Sequence, residues 1–164
     1  MIELDNDKRT LSSTTSMKKS LEAIRNGEAG LTERRRKLLN RVPNSNDWTS
    51  FERDSISIKD IAYLSAATHH EFALLRGKAS DILLHGVELH CNFDEELLEL
   101  LMSRKMRLIA HSHPDYDFIE ASYDDRLFLR YIGQKESTIV SYVTGIEKNS
   151  KQMHLKRYKG EKLC

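Results

Sequence analysis

Residues 107–125 read RLIAHSHPDYDFIEASYDD, and the local structure of the chain can be predicted most clearly here. The apolar run at its start predicts a short strand that ends at His111. Pro114 ends the strand, because proline has no backbone N–H for the ladder. Ser122 is a suitable N-cap, and the spacing after it predicts a helix over about 122–132. A strand, a turn and a helix therefore follow one another here.

Further helices and strands are predicted on both sides of this stretch. Ser57 caps an expected helix that runs to about Ala67, and Asn92 is the expected cap of a second helix. The remaining apolar runs predict strands at residues 71–76, 81–90, 137–143 and 153–158. Helices that alternate with strands in this way are typical of a layered domain. The sequence therefore predicts an α/β fold, with a mixed sheet and flanking helices.

The first 55 residues have a different pattern. They contain neither alternating strands nor a continuous apolar face, and two short helical patterns lie at about 17–26 and 32–41. We therefore predict two parts, an N-terminal helical extension at 1–55 and a folded domain at 56–164. The basic run at 34–37 is interpreted as a solvated helix face, because 11 basic and 9 acidic residues leave this part nearly neutral.

The composition excludes several classes of protein. The 164 residues include 26 Lys+Arg and 25 Asp+Glu, so the net charge of +1 gives no global attraction to nucleic acid or anionic membranes. No apolar run approaches the roughly 20 residues that span a bilayer. The two cysteines are too few for a disulfide framework, and the start, MIELDNDKRT, has no hydrophobic signal segment. These features predict a cytoplasmic protein whose partners are neither nucleic acid nor membrane.

The chemistry of the chain is expected at the end of the strand at 107–111. His111 and His113 are two residues apart, so their side chains leave the same face of the strand. Asp125 lies in the first turn of the next helix, which can fold back toward the two imidazoles. Two imidazoles and one carboxylate leave a tetrahedral zinc ion with an open fourth position, as in catalytic sites.

Other interpretations of these residues remain open. Ser122 and Asp125 also have the spacing of a capping box. In this motif the serine caps the helix and the acid accepts the backbone N–H of the serine. Asp124 is the neighbouring candidate for the metal, but it points about 100° away around the helix. The segment His85-Gly-Val-Glu88-Leu-His90 is not the H-E-x-x-H of helical zinc enzymes, and we interpret it as ordinary strand.

The pattern H-x-H-P, seven residues, then S-x-x-D resembles the motif of the JAMM (MPN+, JAB) zinc metalloproteases. The resemblance covers about residues 56–145. It implies an MPN-like fold related to the cytidine deaminases, with zinc held by His111, His113 and Asp125. It also implies that Ser122 hydrogen-bonds the oxyanion of the reaction and that Glu71 is the general base, with Glu88 as a distant second candidate.

Members of this family hydrolyse peptide or isopeptide bonds next to the C-terminus of ubiquitin or ubiquitin-like modifiers, so the resemblance implies a protein or peptide substrate of that kind. The alternative is a non-catalytic binding or scaffold module on the same fold. Metal-free relatives have normally lost the ligands, whereas this chain retains all three. A zinc deaminase is disfavoured, because the P-C-x-x-C element of those enzymes is absent.

Overall fold

The computed structural model describes residues 32–114, 119–133 and 139–162. The predicted helical pattern at about 17–26 lies outside these residues. In chain order, the described elements are α1 (Glu33–Leu39), β1 (Trp48–Glu52), α2 (Ile58–Thr68), β2 (Phe72–Gly77), β3 (Ser80–His85), α3 (Glu95–Met102), β4 (Met106–Ser112), α4 (Tyr123–Gly133), β5 (Val140–Ile146) and β6 (Met153–Lys159).

The six strands form one sheet in the order β1-β3-β2-β4-β5-β6. Strands β4 and β5 pair in parallel, and every other pair is antiparallel. A parallel pair needs a crossover connection, and α4 lies in the chain between β4 and β5. The predicted α/β class and the mixed sheet with flanking helices are confirmed.

The two faces of the sheet bury separate apolar clusters, because successive side chains on a strand point to opposite sides. One cluster joins Phe72, Leu74 and Leu83 to residues of α1 and α2. The other joins Ala73 and Leu75 to residues of α3 and α4. The side chains of His111 and His113 can therefore lie on only one of these two faces.

The predicted boundary near residue 55 does not divide the sheet. Residues 48–52 form the edge strand β1, which pairs with β3 from Trp48 opposite Leu84 onward. Phe51 and the leucines of α1 are buried in the same cluster as α2. The sequence did not reveal this strand, because only Phe51 is fully buried along it and no alternation of apolar residues results. The described part of the predicted helical extension thus belongs to the main core.

Two of the predicted element ends are wrong. The strand predicted at 81–90 ends at His85, and residues 86–94 form a loop. Helix α3 is capped by Asp94 instead of Asn92, because the Asp94 carboxylate accepts the backbone N–H of Leu97 at 2.8 Å. The residues of this loop lie against the chain at the start of β2. None of the helices in the described ranges has the length and apolar character needed to cross a membrane.

Candidate metal centre

The two histidines of the motif leave the sheet on the side of α3 and α4. His111 stands opposite Ala73 in the ladder of β2 and β4, and Ala73 belongs to the cluster on that side. His113 follows two residues later and so points the same way. Its backbone N–H donates to the carbonyl oxygen of Thr144 at 2.9 Å, which holds the end of β4 against β5.

Asp125 meets both histidines from the first turn of α4. Its Oδ2 atom lies 3.0 Å from Nε2 of His111 and 3.3 Å from Nε2 of His113. The two Nε2 atoms lie 3.2 Å apart. All three side chains are mostly buried, with 20% of the Asp125 side chain exposed and less of the histidines. The structure therefore brings together the three ligands that the sequence predicted.

This triangle of atoms fits a tetrahedral metal ion. Zinc binds imidazole nitrogen and carboxylate oxygen at about 2.0–2.2 Å, which places two tetrahedral ligands about 3.3 Å apart. The three observed separations agree with that value. Within the described residues, these three side chains form the cluster of histidine, cysteine and carboxylate groups able to hold a metal. Two imidazoles and one carboxylate suit zinc and leave a fourth position for water or substrate.

The capping interpretation of Ser122 and Asp125 is also correct. The Ser122 hydroxyl oxygen accepts the backbone N–H of Asp125 at 3.0 Å, and the Asp125 Oδ2 atom accepts the backbone N–H of Ser122 at 2.8 Å. These reciprocal bonds are those of a capping box. They also hold the carboxylate in place toward the histidines. One pair of residues thus starts the helix and orients the third ligand.

The charge on Asp125 is strongly favoured in this site. Burial alone would raise the pKa of Asp125, but hydrogen bonds from His111 and His113 and from the Ser122 amide hold it well below its usual range. A permanently ionised carboxylate is what a cation site requires, because a metal ligand must be deprotonated.

Glu71 immediately precedes β2 and lies beside the candidate metal ligands. Phe72 stands opposite Ser112 in the antiparallel ladder, so Glu71, one residue earlier, is level with His113. The side chain is buried and lines the same cavity as the three ligands. Burial raises the pKa of Glu71 to about 7, with His113 opposing that rise and Asp125 adding to it. A carboxylate with a pKa near neutrality suits a general base or acid.

Sequence reasoning missed Tyr158, which orients His111 from β6. The Tyr158 hydroxyl lies 3.1 Å from Nδ1 of His111, and the two rings meet edge to face at 5.6 Å. Hydrogen bonding at Nδ1 leaves Nε2 to face Asp125, as expected for a metal-ligating histidine with an outer-shell partner. Burial raises the pKa of Tyr158, so the hydroxyl stays protonated. The strand at 153–158 was predicted, but nothing in its pattern shows which residue reaches the site.

The cavity around this centre has a volume of about 350 Å³. Its polar wall contains Glu71, Ser122 and the three ligands, together with Asp124, which lies outside the metal cluster. Its other wall is apolar and includes residues of the loop at 86–94. This volume is in the range of small-ligand pockets, which usually combine apolar walls with a few convergent polar groups.

The residues of the His85–His90 segment do not form a second metal site. The His85 side chain is fully buried, and its Nδ1 and Nε2 atoms lie 2.8 Å from the Pro43 carbonyl oxygen and 2.7 Å from Nδ1 of His70. Glu88 is exposed and lies 3.3 Å from His69. His90 is at the rim of the cavity. The three residues point in different directions, because the strand ends at His85.

Comparison of the chain with protein-family models, with curated proteins and with solved structures finds no match.

Proposed function

We propose that this protein is a zinc-dependent metallopeptidase of the JAMM/MPN+ type, with His111, His113 and Asp125 as the zinc ligands. The observation that carries the proposal is the triangle of two Nε2 atoms and one carboxylate oxygen at 3.0–3.3 Å, which opens into a cavity also lined by Glu71. Within the α/β fold, the MPN-like arrangement is part of the same proposal and rests on the motif that the chain shares with the family.

Glu71 is the residue that moves protons in this mechanism. The chemistry that a zinc ion supplies at such a site is a water of lowered pKa and a polarised carbonyl group. Glu71 accepts the proton from the attacking water and returns it to the amine that leaves. Its buried position raises the pKa of the carboxylate, which makes Glu71 a better proton acceptor than an exposed glutamate.

Ser122 stabilises the negative charge that develops on the carbonyl oxygen. Its hydroxyl oxygen accepts the backbone N–H of Asp125, so its own hydrogen can still be donated into the cavity. Because the capping box fixes the position of the hydroxyl, this donor does not have to reorganise during the reaction. Preorganised donors of this kind usually contribute a large part of catalysis.

The substrate that we propose is a peptide or an isopeptide-linked protein, with ubiquitin-like modifiers as the first class to test. The amide bond would reach the centre through the cavity, which has a volume of about 350 Å³. The cavity is lined by the carboxylates of Glu71, Asp124 and Asp125 and, among the described residues, by no lysine or arginine, so the charge of a metal ion is compensated there.

The test compares Glu71→Gln with Glu88→Gln in the full-length chain. Purified protein should contain about one zinc per chain, and Glu71→Gln should keep it while kcat falls about 10²- to 10⁴-fold. Glu88→Gln is the matched control, since that carboxylate is exposed, and its activity should equal that of the wild type. The assays use fluorogenic peptides and isopeptide-linked ubiquitin-like modifiers, with metal content measured in the same samples.

The outcomes separate the competing functions. Protein that takes up no zinc would refute the metal centre. Full activity in Glu71→Gln would refute the role of Glu71 as the base. A chain that holds zinc but hydrolyses none of the substrates would favour the binding or scaffold module.

A further inference from the structure

The apolar wall of the cavity is formed by the loop at 86–94 and by α4. Leu89, Phe93 and Phe128 all line it. The ring centroids of the two phenylalanines lie 4.6 Å apart, and the ring planes are tilted by 34°. Phe128 follows Asp125 by three residues, so both side chains lie on the side of α4 that faces the cavity. An apolar surface therefore lies next to the metal ligands.

Leu89 is unusual on this surface, because 71% of it is exposed. Among the described residues, the other large exposed apolar side chains are Tyr123, Tyr131 and Leu155, and none of them lines the cavity. A leucine left in water costs hydrophobic free energy that burial against a ligand would recover. Leu89 therefore adds exposed apolar area to the surface formed by Phe93 and Phe128.

The loop that carries Leu89 is already held in place. The backbone N–H of Gly86 donates to the carbonyl oxygen of Glu71 at 2.8 Å, and the N–H of Glu71 donates to the carbonyl oxygen of Val87 at 2.9 Å. A Cβ atom at Gly86 would lie 2.4 Å from the carbonyl oxygen of His90, so only glycine fits here. At the other end, the Trp48 indole N–H donates to Asp94 at 2.8 Å. Such anchoring lowers the entropic cost of binding.

The charges around the cavity limit what this surface can accept. Glu71, Asp124 and Asp125 line it, and none of the described lining residues is a lysine or an arginine. A carboxylate seated between Leu89, Phe93 and Phe128 would lose water without gaining a partner from these side chains, and it would lie near like charges. An apolar side chain would instead bury Leu89 and the two phenylalanines.

We infer that this surface is a specificity pocket for a leucine-sized or phenylalanine-sized apolar side chain, carried by a residue next to the scissile amide. The inference rests on the proposed function, because the metal centre places the amide bond beside the pocket. The occupant lies between Leu89 and the Phe93–Phe128 pair, and substrates with an acidic residue at that position are rejected.

The test measures binding of small hydroxamates to the zinc-loaded protein, which does not require turnover. The probes are the hydroxamates of N-acetylglycine, N-acetylleucine and N-acetylaspartate. The leucine compound should bind about 10- to 100-fold more tightly than the glycine compound, and the aspartate compound should bind more weakly than either. Peptides that vary at the residues on both sides of the cleaved bond should show the same order in kcat/KM.

Leu89→Ser and Leu155→Ser form a matched pair of variants. Both leucines are exposed, so neither substitution should unfold the chain, but only Leu89 lines the cavity. Leu89→Ser should reduce the preference for leucine over glycine about three- to tenfold, and Leu155→Ser should leave it unchanged.

The outcomes distinguish this inference from the proposed function. If the glycine hydroxamate binds and the leucine compound gains nothing over it, the pocket is refuted while the metal centre stands. An equal preference in Leu89→Ser and the wild type would also refute it. If neither the glycine nor the leucine hydroxamate binds the zinc-loaded protein, the catalytic role proposed for the metal centre and the pocket fail together.

Discussion

Two helices of this protein start with the same local motif but have different partners. Ser57 and Asp60 form a capping box at the start of α2, and Ser122 and Asp125 form one at the start of α4. The carboxylate of Asp60 is fully buried and receives hydrogen bonds from Arg34 and Arg35.

The carboxylate of Asp125 faces His111 and His113 instead. Arginine stays charged at all ordinary pH values and forms a permanent ion pair. Neutral imidazole offers a lone pair, and two of them beside a carboxylate can bind a metal ion. A capping box alone therefore fixes where a helix begins, whereas the residues that face its acid decide whether this acid forms an ion pair or belongs to a candidate metal site.

The largest effect on stability should come from breaking the ion pair of Asp60 with Arg34 and Arg35. Asp60→Asn leaves the buried guanidinium of Arg35 without its counter-charge, so the free energy of unfolding should fall by about 3–5 kcal/mol. Denaturant unfolding of the two proteins measures the difference. Zinc content per folded chain should stay the same, because α2 lies on the other face of the sheet from the metal ligands.

The difference in stability between the wild type and Asp60→Asn should depend on pH. Burial alone would raise the pKa of Asp60, but the hydrogen bonds from Arg34, Ser57 and Arg35 lower it below its ordinary value. Its stabilising contribution is thus complete above the unfolded pKa of about 4 and is lost as the pH falls through the lower folded pKa. The advantage of the wild type over Asp60→Asn should shrink between pH 5 and pH 2. An advantage that is independent of pH would contradict the ionised state of Asp60.

The converse substitution, Asp125→Asn, should act on metal binding. The amide oxygen can still accept the Ser122 N–H, so α4 keeps its cap. The anionic ligand is lost, so zinc affinity should fall about 10²- to 10³-fold. This loss is about one quarter of the roughly 10–16 kcal/mol with which the four ligands of a structural zinc site bind the ion. Competition with a chromogenic chelator measures this affinity. Equal zinc affinities in Asp60→Asn and Asp125→Asn would contradict the role of Asp125 as a zinc ligand.

A smaller effect is expected when the partner of His111 is changed. Tyr158→Phe keeps the ring against the imidazole but removes the hydroxyl at Nδ1, so zinc affinity should fall about 10- to 100-fold. Nitrogen-15 shifts of the His111 ring in the zinc-free protein should show that less of it has its proton on Nδ1. Tyr142→Phe is the matched control, because Tyr142 packs on the other face of the sheet. If both variants bind zinc as the wild type does, Tyr158 does not position the ligand.

The smallest effects should come from the two capping serines. Ser57→Ala and Ser122→Ala should each cost about 1 kcal/mol of stability, because each removes one N-cap hydrogen bond. Only Ser122→Ala should also lower kcat, by about tenfold or more, since only Ser122 lines the cavity. Thermal unfolding and steady-state kinetics of the two variants provide both values. A matching loss of kcat in Ser57→Ala would show that the effect arises from helix stability.

Local patterns in the sequence accounted for most of the helices and strands. The helix after Ser57, the strand before His111 and the helix after Ser122 are all present. The edge strand at 48–52 was not predictable, because its hydrogen bonds to β3 supply what its apolar pattern lacks. The overlong strand predicted at 81–90 fails for the same kind of reason, since its last residues bond to Glu71 and to one another instead of to a neighbouring strand.

The three candidate metal ligands were predictable from the sequence, because His111, His113 and Asp125 stand at fixed offsets on two elements that follow each other directly. The start of each helix that a serine and an aspartate cap was predictable as well. Three contacts are visible only in the folded chain: Glu71 is level with His113, Tyr158 meets His111, and Leu89 and Phe128 line the same cavity. These contacts join residues separated by roughly 40 positions, and they depend on strand order and register, which local spacing does not encode.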